Sequence, residues 1–483
     1  MVAENGGLKQ RKATANGNGN TNNLQVSRVV VPTAEGRKRD EQLDKEVEYE
    51  FGGPWGVLAI MTGFPILMYY LWASIVYYDG KLARPDSVEN IVPFLWELWG
   101  HIREGASPTW YTFKVYTIYV VYQLFLGWVV PGIWQEGLPV PSLGYRTLMY
   151  KCNALGCIYI TMATAAALHL TNTWRLTELI DNYGHFMTVA MIFGWGVSLW
   201  IYVYTLAKGN QIRMSGNHVY DFFMGACLNP RLGPVDLKMW LEVRIPWAIV
   251  FYTAVSGACK QYDQYGYVTP NMAMMCLATW LYLNACGKGE ECIPQTWDMF
   301  HEKWGFLVIF WNFAGVPFSY AYSVVYMATH DPEKYRFSTP TYIALYTTLL
   351  CAYYVFDTSM SQKSRFKMQM QGVMTYRKAF PQLPYGTVKD PKYIQTAHGN
   401  RLLIDGWWAY SRKPNYVADW IMSVMWGASQ GTCSIIPYFY CVFFITVLIH
   451  RCGRDFERCA KKYGKDWDRY CEIVRWKFIP GIY

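Results

Sequence analysis

Long uncharged stretches broken by short charged ones set the pattern of this chain. About 20 consecutive apolar residues span a bilayer, and most of these stretches reach that length. The first covers Phe51–Tyr78, with Pro65 inside it as a candidate kink. Val115–Gln135, Cys152–Trp174 and Asn182–Ala207 follow. Ile245–Cys259 is short and draws on Leu237–Val243, and Gln264–Gly287, Trp304–His330 and Phe337–Phe356 come after it. The last run, Trp420–His450, contains Gly427, Gly431 and Pro437. It is too long for one upright helix and reads as a hairpin of two shorter ones. The pattern predicts an all-α, polytopic integral membrane protein with about ten transmembrane helices in the lipid bilayer. No internal repeat is visible, which weighs against transporter folds built from duplicated halves.

Composition agrees. The chain has 483 residues, of which 52% are hydrophobic and only 16% charged, against roughly 25% charged in soluble domains. The net charge of +9 gathers in loops rather than in a stripe, so nucleic acid is not an expected partner. The 13 cysteines show no paired spacing and read as small buried hydrophobes. Residues 1–50 lack an apolar signal core and are expected to form a flexible cytosolic tail. An even number of crossings puts both termini on one side. Excess Lys and Arg in the N-terminal tail, in 359–413 and in 451–477 assign that side to the cytosol.

Polar clusters are where chemistry could sit. His398–Asp419 interleaves Arg401, Asp405, Arg412, Lys413 and Asp419 with Trp407, Trp408, Tyr410 and Tyr416. Charges this close to a bilayer are held by partners or line a wet cavity, although an aromatic belt with snorkelling cations looks similar. A second cluster, 215–242, carries Asp221, Asn229, Arg231, Asp236 and Glu242 and reads equally as a connecting loop. In a third, Asp298, His301 and Glu302 fall at i, i+3 and i+4, hence on one helical face. Local capping is the simpler reading of that trio than a metal site, and no metal is expected. Asn312 and Tyr320, eight residues apart, also share a helical face. A membrane-buried tyrosine hydroxyl needs a partner and can donate a proton. Lys363 and Lys367 share a face, with Arg377 and Lys378 beyond them. A solvated loop or a phosphate site explains these cations equally. In the C-terminal tail Arg451, Asp455 and Cys459 form one stripe, with Lys462 and Tyr463 a turn later.

Taken together, these residues resemble the integral-membrane sterol reductases: the delta-14 and delta-7 enzymes, the fungal C-24(28) enzyme and the reductase domain of the lamin B receptor. The resemblance runs from about Phe51 to Tyr483. It rests on Gly216-Asn217, Tyr220-Asp221-Phe222-Phe223 and Leu228-Asn229-Pro230-Arg231; on Leu402-Leu403, Gly406-Trp407-Trp408, Arg412, Asn415-Tyr416 and Asp419; and on Arg454-Asp455, Cys459, Lys462-Tyr463-Gly464, Trp467 and Tyr470. The stretches 289–320 and 402–408 look most like the C-24(28) branch.

The resemblance implies an endoplasmic-reticulum enzyme of ergosterol biosynthesis, acting on an ergosta-type 24(28)-methylene sterol with NADPH, in association with other sterol-biosynthesis enzymes. It implies one transmembrane domain, 51–483, with 338–483 as the main NADPH-binding part. That part includes the cytosolic loop 358–414 and the tail 451–483, so the cofactor site lies in the C-terminal half. Matching positions put the cofactor against Lys363, Lys367, Trp407, Asn415, Tyr416, Arg451, Asp455, Lys462 and Tyr463. They make Tyr320 the acid and Asp455 its proton-relay partner, with Asn312 and Glu302 as substrate-pocket candidates. The residue types suit the task, cations for phosphates and aromatic planes for rings. No Gly-x-Gly-x-x-Gly motif is present, so the site is not a Rossmann one. Alternatives are delta-14 or delta-7 reduction, a non-catalytic sterol-binding protein, and a prenyl-cysteine methyltransferase. The last shares an Arg…Asn-Tyr motif but has no use for eight earlier membrane runs.

Overall fold

The computed structural model describes residues 33–45, 49–370 and 379–482. Residues 1–32 of the expected tail, with Arg377 and Lys378, lie outside the described residues. The described part is mostly helical. Helices α1 (Ala34–Lys45), α2 (Gly53–Tyr77), α3 (Ile91–Ala106), α4 (Trp110–Val129), α5 (Ala154–Leu170) and α6 (Tyr183–Ala207) form the first half. They are followed by α7 (Leu237–Arg244), α8 (Pro246–Tyr265), α9 (Pro270–Lys288) and the interrupted helical run α10 (Phe306–Thr329). The C-terminal part is α11 (Thr339–Met370), α12 (Pro414–Ala428), α13 (Phe439–Tyr463) and α14 (Lys465–Ile473).

By length and apolarity four of these suit a membrane crossing among the described residues: α2, α6, α10 and the run ending in α13. Of the four, α10 is the most enclosed, with 89% of its apolar window buried against 33–44% in the others. It is therefore the core, and the rest pack around it. Every expected apolar run holds a helix, but boundaries moved. The helix in Val115–Gln135 stops at Val129 before Pro131, and Ile133–Glu136 becomes a strand paired antiparallel with Met149–Cys152. α11 runs past Phe356 to Met370, so apolar and cationic segments form one rod. The last run is the expected hairpin, α12 and α13, reversed at Gly431, whose φ of +68° suits glycine.

Two elements were not expected. α3 packs on α2 and α6 and turns Trp96 and Trp99 outward. In the segment expected to be tail, α1 docks on the end of α13: Arg39 donates to the Lys462 carbonyl at 3.1 Å. Asp40 accepts from the ring of His398 and faces Lys462 Nζ at 3.4 Å.

The 215–242 cluster is structural. Asp221 accepts from Ser215 N, and Asp236 caps α7 through Met239 N. Inside the bundle Arg244 pairs with Glu290 at 2.8 Å, with exposures of 3% and 0%.

Candidate active site

The outer end of α11 anchors the aromatic pair of the Gly406-Trp407-Trp408 turn. Trp407 donates from its indole to Thr358 Oγ1 and from its backbone to Gln362 Oε1. Trp408 Nε1 donates to the Ser359 carbonyl at 2.9 Å. Gly406 has φ +59°, and a Cβ there would run into the Gln362 side chain, so only glycine brings the backbone this close. The fixed Trp408 ring receives the Lys363 ammonium at 4.0 Å, a cation–π contact.

Lys363 and Lys413 are electrostatic neighbours, with Lys367 a turn along α11 and Asp455 facing them from α13. Lys413 Nζ bonds Asp455 Oδ2 and sits over the Tyr416 ring at 5.3 Å. Burial, then the charges of Lys413 and Lys367, push the Lys363 ammonium down to about 7. Lys413 goes the other way: burial would lower it, but Tyr416 and Asp455 outweigh that and raise it. Lys367 in turn feels Lys462. Among the described residues Asn415 donates only to the Met360 thioether, and its Oδ1 is buried with no partner there. Two lysines beside one carboxylate with a third a turn along α11, next to aromatic planes and an orphan amide oxygen, fit an anionic nucleotide.

Arg451 is less available than expected, because Asp298 holds it at 2.7 Å. Tyr463 accepts from Asn400 at 3.2 Å and, with Lys462, closes the far end of the cluster beneath α1. Of the other charges in His398–Asp419, Arg412 is spent on the carbonyls of Val474, Cys471 and Arg475, and Asp405 on the amides of Lys392 and Gly406.

Tyr320 sits where α10 breaks, its ring stacked on Tyr440 at 3.8 Å. Trp311 and Trp247 lie at 6.0 and 6.1 Å. The wide turn Trp311–Gly315 upsets the expected register with Asn312, which donates to the Val308 carbonyl of its own helix. Trp311, not Asn312, reaches Tyr320. Asp419 accepts from the Tyr282 hydroxyl at 3.2 Å among these rings, whereas Asp455 is bonded to Lys413.

The expected face of Asp298, His301 and Glu302 does not form, because the helix Trp297–Phe300 ends before His301. Glu302 pairs with Arg454 at 2.8 Å and lines a cavity of about 530 Å³ whose charged wall includes Arg213, Lys303 and Arg458. That wall is unlike a sterol pocket. Among the described residues no group of three His, Cys, Asp or Glu could hold a metal.

Lys413 stands in the polar cluster but not among the cofactor residues that the resemblance implies, and Tyr282 and Tyr440 stand in neither. Lys413, between Arg412 and the Asn415-Tyr416 motif, carried a usable signal. The two tyrosines, inside apolar runs, carried none.

Residues 45–483 match the family described as the ergosterol biosynthesis ERG4/ERG24 family. A Delta(24(24(1)))-sterol reductase of Aspergillus fumigatus is 43% identical over 90% of this chain and 93% of its own length. Another of that name, from Gibberella zeae, is 41% identical over 92% of this chain and 74% of its own. A Delta(14)-sterol reductase of Dictyostelium discoideum is 33% identical over 90% and 92%.

Proposed function

Because the chain belongs to the ergosterol biosynthesis ERG4/ERG24 family, membrane oxidoreductases of sterol biosynthesis, we propose that it reduces the C-24(28) double bond of an ergosta-type methylene sterol with NADPH. The observation that carries this reading is α12. Lys413 at its N-cap and Asn415 in its first turn face the cation cluster, and a turn further Asp419 meets Tyr282 among the rings. A charged nucleotide and an apolar ring system thus have adjoining quarters.

Lys363, Lys367 and Lys413 would hold the phosphates, Lys462 and Tyr463 the far end of the nucleotide, and Trp407, Trp408 and Tyr416 its rings. Bound there, NADPH supplies hydride. An isolated alkene does not accept hydride until it is protonated. Protonation at the methylene carbon of a 24(28) alkene conjugated to a 22,23 bond leaves an allylic tertiary cation. Tyr320 is the proposed donor, and the rings of Tyr440, Trp311 and Trp247 around it exclude water. Asp455, occupied with Lys413, orients the cofactor end of the site. We assign the protein to the endoplasmic-reticulum membrane with ten crossings and both termini cytosolic.

Delta-14 reduction is the second reading, favoured by relatives of that name such as the Dictyostelium protein. A non-catalytic sterol binder would have no need of the lysine cluster. The test is product analysis after expression in yeast lacking its own C-24(28) reductase. Ergosterol restored at the expense of the 24(28)-methylene sterol is expected. A persistent methylene sterol, with delta-14 sterols consumed instead, selects the second reading.

A further inference from the structure

Asp40 is a carboxylate that α1 delivers to the far end of the cation cluster. It is 9% exposed, and its Oδ1 accepts from His398 Nε2 at 3.2 Å and faces Lys462 Nζ at 3.4 Å. Burial would raise that carboxyl, but His398 and Lys462 outweigh it and hold it below the usual range. Asp40 is therefore charged at neutral pH. Docking of α1 fixes it there. Thr33 N donates to the His398 carbonyl at 3.2 Å, and Arg39 donates to the Lys462 carbonyl at 3.1 Å. A Cβ on Gly36 would come within 2.9 Å of that His398 carbonyl, so α1 lies this close only with glycine. The Lys462 side chain is 17% exposed and meets no other carboxylate among the described residues. An ammonium so enclosed needs a counter-charge.

Lys462 and Asp455 lie seven residues apart on one face of α13, two turns or about 10 Å. Asp455 holds Lys413. Lys413 and Lys462 are thus spaced to serve two phosphates of one dinucleotide. Two anions meeting one ammonium repel each other.

We propose that Asp40 is a stand-in for the 2′-phosphate of NADPH on Lys462 and sets how tightly that phosphate is held; this rests on the sterol-reductase reading above. Without nucleotide, Asp40 neutralises Lys462. With nucleotide bound, Lys462 turns to the phosphate and Asp40 keeps only His398. NADP⁺ carries the same phosphate, so the return of Asp40 to Lys462 also favours departure of the spent cofactor. NADH has a hydroxyl at that position and does not compete with the carboxylate. Coupling of this kind is reciprocal. By the factor that Asp40 weakens NADPH, NADPH weakens the docking of α1.

Equilibrium binding of NADPH, NADP⁺ and NADH to the full chain in detergent tests this. Asp40→Asn should tighten NADPH and NADP⁺ about tenfold, the scale of one charge-assisted contact, and leave NADH unchanged. Lys462→Ala should weaken NADPH and abolish the effect of Asp40→Asn. Glu41→Gln removes an exposed charge from the same helix and should change nothing. Gly36→Ala lifts α1 from His398 without touching a charge and should also tighten NADPH, which keeps the test open if Asp40→Asn does not fold. In the wild type, NADPH but not NADH should speed amide hydrogen exchange in α1. Unchanged NADPH affinity in Asp40→Asn and Gly36→Ala, equal tightening of NADH, or an Asp40→Asn effect that survives Lys462→Ala overturns the proposal. A wild type that binds neither nucleotide sinks the sterol-reductase reading as well, which separates the two failures.

Discussion

The ammonium of Lys363 rests 4.0 Å above the ring of Trp408 and is ion-paired to none of the described carboxylates. Burial first, and then Lys413 and Lys367, bring it down to about 7. A phosphate beside it would raise that value, so binding above neutral pH takes up a proton. NADPH affinity should be constant below about pH 7 and fall above it, by up to about tenfold per unit. Fluorescence titration across that range measures this. Lys363→Ala should flatten the curve; a flat wild-type curve moves the phosphates elsewhere.

Lys363→Ala should also raise the KM for NADPH at neutral pH. A charge-assisted contact is worth about 1.5–3 kcal/mol, or roughly tenfold and more. Arg451→Ala should do less, because Asp298 already engages that guanidinium at 2.7 Å. Equal losses in the two variants would mean that Arg451 leaves Asp298 for the cofactor.

The bundle's own stability should depend on Arg244 and Glu290. Glu290 accepts from Arg244 and from the Ala154 amide, both buried. Removing one partner of such a pair costs about 3–5 kcal/mol. Glu290→Ala should therefore lower the Tm, and Arg244→Met with Glu290→Leu should recover most of the loss. Thermal denaturation in detergent decides this.

Tyr320→Phe should keep sterol and NADPH binding but lose about 10²–10⁴-fold in kcat. Tyr322→Phe is the control for turnover, not for stability. Its hydroxyl donates to the Met68 carbonyl at 3.1 Å in the core, so a loss of about 1 kcal/mol is expected with kcat unchanged. Near-normal reduction by Tyr320→Phe would remove it as the donor.

The bond from Arg39 in α1 to the Lys462 carbonyl in α13 ties the chain's two end regions to one side. The proposed topology puts that side in the cytosol. A glycosylation tag in the first forty residues and one after Tyr483 should both stay unmodified in microsomes. Modification of one alone is incompatible with the Arg39 contact.

Charge spacing revealed where helices lie but not where they stop. The apolar run at 420–450 announced a hairpin through its length and its two glycines. α3 stayed hidden because Glu97, His101, Arg103 and Glu104 interrupt its apolar face. In the site, Arg412 and Lys413 are adjacent and alike in type. Only folding sends one to backbone carbonyls and the other to Asp455. Lys363 and Lys367 were visible as one face of one helix and remained so. Asp455, expected as the relay partner of Tyr320, is bonded to Lys413, and the carboxylate that α12 carries among the rings is Asp419, which accepts from Tyr282.

α12 also limits how this chain can change in length. Asn415 and Asp419 lie one turn apart on one rigid segment, and a single inserted residue between them would rotate everything beyond it by about 100°. Asp419 would swing away from Tyr282 while Lys413 kept its place against Asp455. Insertions in the exposed turn 208–211 beyond α6 disturb no such phase. A loop therefore accommodates an added residue that α12 does not, because within α12 the helical pitch sets the separation of Asn415 and Asp419.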